Sequence, residues 1–125
     1  MTRYMVVLLK GAEPSTPPPP ELMAAIAKLG EDATKAGVLL DNAGLAPSAA
    51  GAQVVLAGGK LSMTDGPFTE AKEMISYALY DVRSKEEVVE WTSRFMKLHR
   101  DLWEGWVGES QIYRVLGPED FAPPA

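Results

Sequence analysis

The run Tyr4–Lys10, YMVVLLK, constrains the fold more than any other stretch of the chain. β-Branched and leucine side chains follow one another without a breaker, so neither face of such a strand can be left in water. It is predicted to be a central strand covered on both sides. The ten residues that follow, GAEPSTPPPP, cannot supply its neighbour. Their prolines lack amide donors and stiffen the chain into an extended connector that delivers it to a helix.

That helix is predicted over Glu21–Ala36, where Leu22, Ile26, Leu29 and Ala33 recur at helical spacing, Glu21 favours the first turn and Lys35 the last. Gly37 stops it. The segment VLLDNAGLAPSAAG mixes a short apolar run with turn formers and reads as a poorly regular connection, with Asp41 and Asn42 as turn residues. Gln53–Ala57 and Lys60–Thr64 are strand-like and joined by Gly58-Gly59, a pair that accepts the positive φ angles of a tight hairpin turn.

Met74–Val82, MISYALYDV, alternates, with Ile75, Tyr77 and Leu79 on one side and Ser76, Ala78 and Tyr80 on the other. Ser84 and Glu87 form a capping-box pattern, after which Val88, Trp91, Phe95, Leu98 and Leu102 give one apolar face of a long helix. Gly105–Gly108 ends that pattern, and Ser110–Leu116 reads as a last strand before an acidic tail.

The order β-α-β-β-α-β, with an extra hairpin strand, is the ferredoxin-like α+β arrangement: two helices on one face of an antiparallel sheet. Tyr77, Leu79, Tyr113 and Val115 would then line the other face, which needs a cover. The expectation is a homodimer packed sheet against sheet, a dimeric α+β barrel with a cleft in each half. At 125 residues, the chain reads as one domain, with a core over 1–116 and a tail over 117–125.

A net charge of -5 and the lack of any Lys/Arg cluster argue against nucleic acid as a partner. The chain has no cysteine, which excludes disulfides, thiolate metal sites and a Cys nucleophile and fits a cytoplasmic protein. The start, with an apolar run of only Met5–Leu9, has neither the length of a membrane span nor a cleavage pattern, so no membrane association is expected.

Residues 64–73, TDGPFTEAKE, ask what such a string is for. Read from its chemistry, Asp65 accepts backbone hydrogen bonds, Gly66 supplies unusual backbone angles, Pro67 presets the turn and Phe68 plugs it from beneath. Thr69 would cap a helical turn running through Glu73. The string, with the later SKEEVVEW helix and the upstream AGVLLDNAGLAPS, resembles the DGPF-containing branch of the YCII-related proteins. FMKLHRDLWEGWVGE resembles a variant C-terminal block of that branch, and PEDF its tail.

The resemblance implies a dimeric α+β barrel. Some wider relatives are enzymes that use a His and Asp pair in the cleft, among them a chloride-eliminating enzyme of aromatic degradation. The family's histidine, where present, falls in the first helix at the position of Ile26, so that pair does not carry over here. Members encoded beside alternative sigma factors, or fused to them, imply a second possibility: an accessory or regulatory protein with a protein partner.

His99 is the only histidine, so imidazole chemistry has one address. Its plainer reading is a surface or cap-proximal residue favoured by the helix C-terminus. The sharper reading makes it an acid/base group at a cleft. No ligand spacing for a bound metal is present and no cofactor is expected. The candidate site comprises Asp65 and His99 as polar actors, with Tyr77, Trp103, Tyr113 and Phe68 shaping a pocket for a small organic ligand. Trp103, Trp106 and Tyr113 could form an aromatic wall beside a cleft, but such residues are more often core or dimer contacts. The function expected from the resemblance is binding of a cyclic or aromatic metabolite, with cofactor-independent acid/base chemistry of lyase, isomerase or cyclase type.

Overall fold

The structure is a computed structural model that describes residues 1–11, 16–68 and 72–121. Its elements run β1 (Thr2–Lys10), α1 (Pro20–Lys35), β2 (Leu39–Gly44), β3 (Ala52–Ala57), β4 (Lys60–Asp65), β5 (Met74–Val82), α2 (Lys85–Leu102) and β6 (Gly108–Arg114). Single 3-10 turns occupy Ser48–Ala50 and Pro118–Phe121. Four strands form one antiparallel sheet in the order β2-β5-β1-β6, while β3 and β4 pair only with each other. The four-stranded sheet and its two helices are the ferredoxin-like arrangement.

β1 lies between β5 and β6, and its Val6, Val7, Leu8 and Leu9 are all buried, as an unbroken apolar strand requires. The alternation of β5 is also as the sequence implies. Ala78 and Tyr80 join Val6, Val82, Ala33, Val38 and Val88 in the core beneath the helices. Tyr77, Leu79 and Tyr113 register with Val7 and Met5 on the opposite face, which no helix covers.

α1 begins on Pro20, whose missing amide donor costs nothing in a first turn. It ends in a Schellman motif: Val38 N–H donates to Ala33 C=O at 3.1 Å and Gly37 N–H to Thr34 C=O at 3.0 Å, with Gly37 at φ 77°. The capping box of α2 forms as expected, with the Ser84 hydroxyl accepting from Glu87 N–H at 3.2 Å.

Four expectations are corrected. The segment read as an irregular connection contains β2, an edge strand paired to β5, so Asp41 and Asn42 are strand residues rather than turn residues. An edge strand needs a ladder on one side only, and a polar sequence suits it. The hairpin exists, with Gly58 at φ 58° and Gly59 at φ 75°, but both its strands stand outside the main sheet. On α2 the predicted face holds at Val88, Trp91 and Phe95, which are buried, packed on the core or line the cleft, while Thr92 and His99 are buried beside them and Leu102 is exposed. The last strand starts two residues earlier than expected, at Gly108. The predicted cap at Thr69 lies outside the described residues.

Candidate functional site

The DGPF string clamps the foot of the β3–β4 ribbon. Gly66 N–H donates to Gly51 C=O at 2.9 Å, and a Cβ on Gly66 would stand 1.7 Å from the Ser48 carbonyl oxygen, so only glycine fits. Ser48 is the hub: its hydroxyl accepts from Phe68 N–H at 3.0 Å and donates to Glu73 Oε1 at 2.8 Å. Its own N–H donates to the same carboxylate oxygen at 3.0 Å. Asp65 ends β4 opposite Ala52 and is exposed.

The cleft lies elsewhere, between α1, α2 and the helix-facing side of the sheet, with a volume of about 320 Å³. Leu22, Ile26 and Leu29 line one wall, Val6, Leu8 and Ala78 the floor, and Phe95, His99 and Trp103 the far wall. Among the polar groups that reach it, Thr92 is committed, its hydroxyl donating to Val88 C=O at 2.7 Å. Asn42 and Ser76 also line it.

His99 is only 3% exposed, so its surface reading is corrected. Its α2 position puts it one turn after Phe95, on the stripe that faces inward, and three aromatic rings surround it. Phe95 meets it edge-on at a centroid distance of 4.6 Å, Trp106 lies at 4.7 Å and Trp103 at 6.3 Å. Trp103 and Trp106 stack on each other at 5.4 Å. Gly108 makes room for this cluster, since a Cβ there would come within 2.2 Å of the Trp106 ring.

Nδ1 of His99 lies 2.9 Å from the Phe95 carbonyl. A carbonyl only accepts, so Nδ1 carries the proton and the neutral ring keeps its lone pair on Nε2. Burial pushes the imidazole below its ordinary range, and the Phe95 carbonyl offsets part of that shift. The neutral form is therefore favoured.

Of the residues singled out from the sequence, His99, Trp103 and Tyr77 line the cleft; Asp65, Phe68 and Tyr113 do not. Tyr77 borders it at the sheet floor, yet strand alternation sends its ring to the other face, where its hydroxyl donates to Asp41 Oδ2 at 3.0 Å. That carboxylate holds the phenol above its usual range. Trp103 Nε1–H donates to the Thr16 hydroxyl at 3.0 Å, tying the cleft mouth to the connector before α1. Among the described residues no three His, Cys, Asp or Glu side chains converge as a metal site would require, and no helix is long and apolar enough to cross a membrane.

The family described as YCII-related domain matches residues 3–104, from β1 to just beyond α2. This chain is a member of the YCII-related family. Every residue that lines the cleft falls inside the matched stretch of this YCII-related chain. No curated protein matches the sequence. Sequence reasoning missed Asn42 and Ser76 as YCII-related cleft residues. Ser76 was legible from the alternation of β5, whereas Asn42 was hidden by the turn-forming character of β2.

Proposed function

We propose that this YCII-related protein, of the DGPF branch, binds a compact cyclic or aromatic metabolite in the cleft and uses His99 Nε2 as its acid/base group. The observation that carries the reading is His99 itself: an imidazole fixed by its Nδ1–H in an apolar cleft of about 320 Å³, with no protein partner for Nε2 among the described residues. The volume is at the lower end of small-ligand sites and the walls are mostly aliphatic and aromatic, which suits a ring of modest size. Asn42 and Ser76 supply the hydrogen-bonding groups that would orient it.

A neutral Nε2 in such a setting accepts a proton from an acidic carbon of the bound molecule and returns it to another atom of the same molecule. Such an isomerisation balances without a cofactor. Ile26 occupies the position where the resemblance implies an imidazole in some relatives and lines the same cleft, so here the single imidazole enters from α2 instead. Asp65 lies at the foot of the ribbon and is given no part in this step.

One histidine means one imidazole signal in the NMR spectrum, and titrating small lactones and aromatic acids against it tests the reading. Binding should shift the His99 ring resonances, and the His99→Gln variant should retain binding while losing any proton exchange that the wild type catalyses on the bound molecule. If no compound shifts the ring and denaturing the purified protein releases no small molecule, the reading fails.

A further inference from the structure

Among the described residues, no charged side chain lines the cleft between the helices. All 12 lysines and arginines of the chain are described, so none is left to enter it unseen. Lys28, Arg94, Lys97 and Arg100 neighbour lining residues in sequence, but each is exposed. Lys28, Arg94 and Arg100 pair there with Asp32, Glu90 and Asp101.

The helix ends at the cleft do not supply the missing positive charge. Pro18, Leu22 and Met23 line it beside the start of α1, where a helix ordinarily presents free amides to an anion. Here Pro17 to Pro20 carry no amide hydrogen, and the Leu22 and Met23 N–H groups donate to the Pro19 carbonyl at 3.0 and 3.2 Å. Glu21 adds a negative charge to the same turn. The last turn of α2, which brings His99 and Trp103 to the cleft, carries the partial negative charge of a helix C-terminus. His99 does not substitute as a cation, since Phe95, Trp103 and Trp106 surround it and burial favours its neutral form.

We propose that the cleft selects an uncharged cyclic carbonyl compound, such as a lactone, ring ketone or aromatic amide, and rejects the matching carboxylate. The inference rests on the reading of this cleft as a ligand site and narrows what enters it. The Asn42 amide and Ser76 hydroxyl can donate to a carbonyl oxygen without supplying a net charge, which suits a neutral group. A carboxylate would give up its water with no counter-ion to receive it. Of the lactones and aromatic acids that test the site, the lactones should bind and the acids should not.

Benzamide and benzoate share one shape and differ by one charge, which makes them the test pair. Titrated at about pH 8, where benzoate is ionised and His99 neutral, benzamide should shift the His99 ring signal. It should bind about 100-fold more tightly than benzoate, as an unpaired buried charge requires. Met23 lines the cleft yet is 51% exposed, so a lysine is tolerated there, and Met23→Lys should narrow the gap about tenfold. Circular dichroism checks that the variant folds. Benzoate bound as tightly as benzamide overturns the selection and leaves the site and its histidine standing. A gap that a folded Met23→Lys leaves unaltered overturns charge as its cause. If neither compound shifts the ring, this inference and the reading beneath it fail together. Preference for benzamide without any catalysed proton exchange upholds the selection and removes the acid/base step alone.

Discussion

His99 sits under two opposed influences, burial that disfavours its charged form and the Phe95 carbonyl that favours it, and burial is the larger. The consequence for stability has a definite sign. Between the lowered native pKa and the ordinary value of 6.5, the unfolded chain binds a proton that the native chain refuses. Stability from this residue is therefore complete above pH 6.5 and falls as the pH drops toward the native pKa, with no further loss below it. Thermal unfolding of wild type and His99→Gln across mildly acidic pH should show a steeper acid decline in the wild type. The residue's spacing from Phe95 was readable in the sequence, but its burial was not, because a lone histidine near a helix C-terminus is equally at home in water.

Two glycines carry expectations at the same scale. Gly66→Ala would drive a methyl group into the Ser48 carbonyl, and Gly108→Ala would drive one into the Trp106 ring. Each should destabilise by about 1–3 kcal/mol, the range for forced overpacking, as measured by denaturant unfolding. The two should differ in the His99 ring signal, which Gly108→Ala displaces through Trp106 and Gly66→Ala leaves in place.

Among the elements, legibility followed how much of each was decided locally. β1, β5 and α1 announce themselves through unbroken apolarity, alternation and helical spacing, and each lies where those patterns imply. β2 does not, because Asp41, Asn42 and Gly44 carry turn propensity and its strand conformation comes from the ladder to β5. On α2 counting large apolar residues found Val88, Trp91 and Phe95 but overlooked Thr92 and His99, which packing buries beside them. Its N-terminus was read correctly from Ser84 and Glu87. Ser84→Ala, which removes the hydroxyl that accepts from Glu87 N–H, should cost about 1 kcal/mol in denaturant unfolding.

For the whole molecule, the fold class was legible and the division of labour within it was not. The order of helices and strands implied a ferredoxin-like sheet, and that sheet is present. That the hairpin stands apart from it follows from long-range pairing that no window of residues reports. The cleft was likewise visible only in fragments, since its walls come from both helices and three strands. Replacing residues 52–65 by a short Gly/Ser link should leave the body folded, because the ribbon shares no ladder with the sheet. Cooperative unfolding and an unshifted His99 ring signal would check this.

The position of β1 between β5 and β6 also bears on the order of events during synthesis. Tyr4 registers with Tyr80 on one side and with Arg114 on the other, so a strand synthesised before α1 is paired by two that are synthesised well after it. Val6 to Leu9 must wait, unpaired and greasy, until most of the matched domain has emerged. The Pro-rich stretch just behind β1 keeps that waiting strand from zipping onto the next residues to appear, so the nascent chain spends its most aggregation-prone interval beside a segment unable to join a sheet.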